Sequence, residues 1–180
     1  MNRSVGMADA TLDLAVLTET PGWLAKLPDA VDLCRSAASA AFAAADRRWF
    51  VSGGSVKACL LLSDNERIRA LNNTFRGRDE PTNVLSFPSV EPDVLAAVGA
   101  DGSPSALGDI VIALETASAE AALESKPLAD HLRHLVVHGT LHLLGYDHAT
   151  AGEATEMEAL EVRVLATLGI ADPYSAYDER

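Results

Sequence analysis

All five histidines of this chain fall between His131 and His148. The segment reads His131-Leu-Arg-His134-Leu-Val-Val-His138-Gly-Thr-Leu-His142-Leu-Leu-Gly145-Tyr-Asp147-His148. Its core is H-x-x-x-H, followed by a glycine and a third histidine. Residues four apart on an α-helix share a face, so the imidazoles of His138 and His142 can reach one ion. Gly145 tolerates a positive φ, the usual way to end a helix, and the chain beyond it can turn back and carry His148 to the same ion. Three neutral imidazoles and a water make an open tetrahedral zinc site. Such a site lowers the pKa of its water to about 7, so hydroxide is available at neutral pH without a protein nucleophile. The bland alternative is a set of ordinary core or surface histidines. It fits poorly, because Leu135-Val136-Val137 and Leu141, Leu143 and Leu144 surround the pair, and unpaired imidazoles are costly to bury there.

Other residues of the segment carry competing readings. His131 and His134 lie on the same helical stripe. His134 can replace one ligand in a rival triad. His131, further out, reads as a solvated residue or a substrate contact. The spacing H-x-x-x-H-x-x-G-x-x-H also matches that of metzincin peptidases, which carry a Glu base directly after the first His. Here that position is Gly139. The metal cage is present and the peptidase base is missing. Asp147 is a candidate base, a candidate partner for a ligand imidazole, or simply a turn residue after Gly145-Tyr146.

A second polar stretch runs from Leu71 to Pro88 and contains Arg76 and Arg78. Arg side chains are fork-shaped donors suited to phosphate oxygens. Beside a metal site, one of them can stabilise charge developing on a phosphoryl group. The plain alternative is a solvated basic turn.

These residues need elements to hold them. Leu12–Thr18 reads as a strand, followed by a turn at Pro21-Gly22. Pro28 and Asp29 open a helix that reaches about Asp46. Val56–Leu62 is a second strand, and Asp64 caps a short helix through Leu71. Asn72–Asn83 reads as a polar loop, Val84–Phe87 as a short strand, and 91–106 as a mobile loop. Leu107–Ala113 is a further strand. Helices follow at about 114–125, 128–144 and 153–169, the last with Met157, Leu160, Val164, Leu165 and Leu168 on its apolar face. Glu153, Glu156, Glu158 and Glu161 read as that helix's solvated face. The expected fold class is α+β, a small mixed sheet packed with about five helices, with the metal site at the end of a central helix.

Composition sets bounds. With 180 residues, 48% of them hydrophobic, the chain is long enough for one domain with a real core, expected over 9–175 after a disordered 1–8. Met7 is an alternative start. No apolar run is long enough to span a bilayer, and the segment Met-Asn-Arg-Ser-Val-Gly-Met at residues 1–7 lacks a secretory h-region, so a cytoplasmic protein is expected. The two cysteines, Cys34 and Cys59, lack metal-ligand spacing and read as reduced, buried thiols. A net charge of −12 argues against broad nucleic-acid binding but leaves room for a local basic groove.

The motifs together resemble a known family. His138-Gly-Thr-Leu-His142-Leu-Leu-Gly145-Tyr146-Asp147-His148 is similar to the signature of the YbeY family of bacterial single-strand endoribonucleases. Arg76-Gly-Arg-Asp-Glu-Pro-Thr-Asn-Val-Leu-Ser-Phe-Pro88 resembles that family's second block, and Leu107-Gly-Asp-Ile110 its third. Order and spacing agree from about Leu12 to Tyr174. The resemblance implies a metal-dependent ribonuclease acting in rRNA maturation, including the 3′ end of small-subunit (16S) rRNA, and in ribosome quality control. It implies one zinc ion held by His138, His142 and His148, a functional role for Arg76, single-stranded rRNA as substrate, and the ribosomal small subunit or its proteins as partners. Two other readings compete: a metallopeptidase-like hydrolase, and a non-catalytic ribosome-assembly factor with a structural zinc closed by a fourth ligand such as His134.

Overall fold

The computed structural model describes residues 11–45, 55–89 and 105–175. The expected disordered residues 1–8 and most of the expected 91–106 loop lie outside them. The order of elements is β1 (Thr11–Thr18), α1 (Gly22–Lys26), α2 (Ala30–Ala44), β2 (Ser55–Ser63), α3 (Asn65–Arg76), β3 (Val84–Pro88), β4 (Ser105–Ala113), α4 (Leu114–Leu123), α5 (Leu128–Leu143) and α6 (Ala151–Thr167). The sheet runs β1-β2-β4-β3. β1, β2 and β4 are parallel, and β3 pairs antiparallel with β4. This is the expected α+β class with a small mixed sheet.

Strand patterning follows position. Edge strand β1 alternates between exposed and half-buried residues. Central β4 becomes nearly continuously buried from Ile110 onward, as a strand covered on both faces must. One face of the sheet, with Val56, Leu60, Leu62, Ile110 and Ile112, packs under α2, α5 and α6 in the main core. The other face meets α3 through a smaller cluster of Ile68, Leu85, Val111 and Ala113.

Helix α5 sits at the centre, against α2, α4, α6, β3 and β4. Gly139 lets it lie close on the sheet. A Cβ there would stand 3.0 Å from Ile110 Cγ2 and 3.1 Å from Ser86 Oγ. The absence of a side chain at the peptidase-base position therefore has a packing cause, since α5 presents that position to the sheet and not to the cleft.

Two element boundaries depart from the sequence reading. α3 continues past Leu71 to Arg76, so the first part of the expected loop is helix. Asn72 is buried in that extension, where its Nδ2 donates to the Glu80 carbonyl at 2.8 Å. Gly77, at φ 67°, then ends the helix in the left-handed conformation. The expected turn at Pro21-Gly22 leads into the one-turn helix α1, which buries Trp23, whose Nε1 donates to the Ser63 carbonyl at 2.9 Å. Six helices are therefore present among the described residues. Cys34 is buried as expected, and burial pushes its thiol up to about 12, whereas Cys59 is only half-buried.

Candidate functional site

α5 delivers His138 and His142 one turn apart at its C-terminal end. Gly145, at φ 87°, turns the chain, and the Tyr146 N–H bonds back to the Leu141 carbonyl at 3.1 Å. Asp147 Oδ1 accepts from the His148 N–H at 2.8 Å and shapes the return of the chain. His148 thereby reaches the other two rings. One ring nitrogen from each of His138, His142 and His148 lies within 4.8 Å of the others, and among the described residues this group has three members.

The hydrogen bonds around these rings decide what they can hold. His142 Nδ1 lies 3.0 Å from the Tyr146 carbonyl, which can only accept, so this nitrogen carries the proton. His138 Nδ1 donates to Glu161 Oε1 at 2.7 Å. The Nε2 of His142 is then bare, and it faces the Nε2 of His138 at 3.0 Å. Two ring nitrogens at that distance are held together by a shared proton or by a cation that lies against both. Burial, then the neighbouring His138 and His148, lower the pKa of His142 to about 4, so it stays neutral at physiological pH. A neutral, Nδ1-protonated imidazole is the form that ligates a metal through Nε2. The donor set therefore fits a divalent ion.

A cleft of about 390 Å³ opens over the three rings, lined also by Arg76, Val84, Ser86, Pro88, Tyr146 and Asp147. Arg76, at the end of α3, is exposed and makes no side-chain hydrogen bond or ion pair among the described residues. Arg69 on the same helix is spent on Asp79 in a two-pronged ion pair at 2.8 Å. Extension of α3 to Arg76 is what brings that free guanidinium to the rim.

Two residues, His131 and Glu161, sit differently from their sequence reading. His131 is buried and paired with Glu120 through Nε2 at 2.8 Å, against the expected solvated position. His134 stands outside the triad, 3.8 Å from Glu161 Oε2. Glu161 is 1% exposed, against the expected solvated face. Burial pushes its carboxyl up, but the nearby His134 and hydrogen bonds from His138 and Tyr174 outweigh that and hold it down at about 2. Glu153, Glu156 and Glu158 are exposed, as expected. The sequence did carry a signal for Glu161, which lies four residues from both Met157 and Leu165, inside the apolar stripe of α6. Ser86, whose Oγ donates to the Gly139 carbonyl at 3.3 Å, carried no such signal.

Residues 35–169 match the family described as Endoribonuclease YbeY. A protein of that name from Paramagnetospirillum magneticum is 47% identical over 164 residues, covering 91% of this chain and 96% of its own. Another, from Azorhizobium caulinodans, is 47% identical over 165 residues, covering 91% and 97%. A solution structure from Thermotoga maritima, 24% identical, covers 89% of this chain and 98% of its own with a TM-score of 0.46. With most of its length matched and relatives this close, the chain belongs to the YbeY family of endoribonucleases.

Proposed function

We propose that this chain is a metal-dependent endoribonuclease that cuts single-stranded RNA. Its place is in rRNA maturation, including the 3′ end of 16S rRNA, and in ribosome quality control. The observation that carries this reading is the pair of facing Nε2 atoms of His138 and His142, joined by His148, in one cleft with Arg76, which is unpaired among the described residues. The names of the relatives support the reaction class.

His138, His142 and His148 would hold one Zn²⁺ per chain, an ion suited to three imidazoles with an open position. That ion, when bound, supplies a Lewis acid that polarises a phosphoryl oxygen and acidifies water. Arg76 binds the scissile phosphate and neutralises the charge that builds on it. Its freedom from carboxylates makes it available, whereas Arg69 is occupied. Val84, Pro88 and the half-buried Tyr146 offer apolar surface to the bases of an unpaired strand, which a duplex keeps stacked inside. The free cation at the rim answers the net charge of −12 with a local site for phosphate. Among the described residues no helix is long and apolar enough to cross a membrane. We place the protein in the cytoplasm, with the ribosomal small subunit or its proteins as partners.

The peptidase reading finds no support, because Gly139 faces the sheet and has no room for a Glu side chain. A structural metal would be closed by a fourth protein ligand, and the described group has three.

The test offers the purified protein one RNA sequence as a single strand and as a duplex, the matching DNA strand, and casein. Only the single-stranded RNA is expected to be cut. Casein cleavage that survives Arg76→Ala would restore the peptidase reading. A strand with 2′-deoxyribose at the cut position separates the two nucleophiles. Cutting that persists there assigns the attack to water, and cutting that stops assigns it to the 2′-hydroxyl.

A further inference from the structure

Helix α6 presents Met157, Leu160, Val164 and Leu165 to the core, and Glu161 is buried among them. A carboxylate in such a place is costly unless its oxygens are used. Both are used here. Oε1 accepts from His138 Nδ1, and Oε2 accepts from the Tyr174 hydroxyl. Tyr174 belongs to the segment after α6. Its N–H bonds to Asp172 Oδ1 at 2.8 Å, Pro173 beside it is buried, and its ring meets the His134 ring edge-on at 5.9 Å. The three candidate ligands are thus held in different ways. His142 is oriented by the main-chain carbonyl of Tyr146 four residues on. His148 is exposed, and its local hydrogen bond to Asp147 is made by its backbone. His138 is held by a carboxylate from another helix, and that carboxylate is held by a phenol from the segment that follows.

We propose that Glu161 and Tyr174 are a positioning pair for His138, and that metal retention at the triad depends on both. Tyr174 fixes the Glu161 carboxylate. Glu161 in turn fixes the Nδ1–H tautomer and the ring plane of His138, and its negative charge makes Nε2 a stronger donor. This rests on the three-histidine reading above and adds to it that the Asp172–Tyr174 segment is part of the site. A carboxylate with a purely structural role would affect melting and leave metal affinity alone.

The test titrates the full chain with Co²⁺, followed by visible absorption and chelator competition. It compares wild type with Glu161→Gln, Tyr174→Phe and the exposed control Glu156→Gln, while circular dichroism melting checks the fold of each. Glu161→Gln is expected to weaken Co²⁺ binding by about 10–100-fold, the range for partners of ligand imidazoles. Tyr174→Phe weakens it less, and Glu156→Gln leaves it unchanged. Nitrogen NMR of the metal-free protein is expected to find His138 protonated at Nδ1. A folded Glu161→Gln with wild-type Co²⁺ affinity overturns the proposal. If that variant does not fold, Tyr174→Phe decides, and unchanged affinity there overturns it equally. Failure of the wild type to bind Co²⁺ would overturn the three-histidine reading and this proposal with it. Tight binding that weakens in these variants, without RNA cleavage by the wild type, would support the pair while the nuclease reading fails.

Discussion

The two halves of α5 carry two histidines each at helical spacing, and they end in opposite situations. In the first half, His131 spends Nε2, its outer nitrogen, on Glu120, and its Nδ1 is buried without a partner. His134 lies near Glu161 and Tyr174. In the second half, Glu161 and the Tyr146 carbonyl take the inner nitrogens of His138 and His142 and leave both Nε2 atoms turned toward each other. The residue type is the same, and the spacings, three in the first half and four in the second, both set the pair on one helix face. What differs is which ring nitrogen a neighbouring acceptor captures, and those acceptors arrive from α4, from α6 and from the turn after α5. Candidate ligands follow from spacing, and their selection follows from the partners that the fold brings in.

The sharpest way to break this contrast is to remove one histidine from each half. His142→Ala is expected to lower metal affinity by more than the about 10–100-fold expected for a partner of a ligand. His134→Ala, outside the triad, should leave metal content near one ion per chain. Equilibrium dialysis with elemental analysis reads both, and equal losses would erase the distinction.

Next in size is Gly139→Glu, which installs the peptidase-type residue. Its side chain would be driven into Ile110 and Ser86, and overpacking together with an unpaired buried charge is expected to cost at least about 3 kcal/mol. Chemical denaturation measures this loss. A stable variant that cleaves casein would show that α5 can present this position to the cleft.

His131→Ala should act on stability alone. It leaves the Glu120 carboxylate short of one donor, at a cost of about 1–3 kcal/mol, with metal affinity unchanged. A loss of metal in this variant would move the first half of α5 into the site.

The smallest effect is a pH dependence. Burial pushes the Glu120 carboxyl up, but hydrogen bonds from His131 and Asn83 prevail and hold it below its usual value of 4.5. A carboxylate with a lowered folded pKa stabilises the protein fully above its unfolded value. That contribution disappears as pH falls through the folded value. The stability difference between wild type and Glu120→Gln is therefore expected to be largest above about pH 5 and to shrink below pH 4.5. Denaturant midpoints across that range measure it, and a difference that grows on acidification would reverse the assignment.

The sequence made one part of the site legible because it is local. His138, His142, Gly145 and His148 lie within one helix end and its turn, where spacing translates directly into geometry. Strands β1, β2 and β4 were legible for a similar reason, their apolar runs being bounded by turn or helix-cap residues. Arg76 is legible as a residue type, but its place is not, because Asn72-Asn73-Thr74 has the composition of a loop. Burial of Asn72 and the left-handed Gly77 carry the helix through it. Glu161 is hidden among neighbouring acidic residues that do face solvent, and its charge alone suggests the same for it. Only its position four residues from both Met157 and Leu165 marked it as inward-facing. The pairing of Glu120 with His131 joins two helices across eleven residues and has no pattern in the sequence.

The most direct test of the central claim pairs elemental analysis with cleavage of a labelled single-stranded RNA, for wild type, His142→Ala and Arg76→Ala. One equivalent of metal is expected in wild type and in Arg76→Ala, and none in His142→Ala. Cleavage at the full rate is expected in wild type alone, with Arg76→Ala slower by about 10²–10³-fold, the range for loss of one charge-stabilising donor, and His142→Ala inactive. Cleavage by Arg76→Ala at the wild-type rate, or by a metal-free His142→Ala, would contradict it.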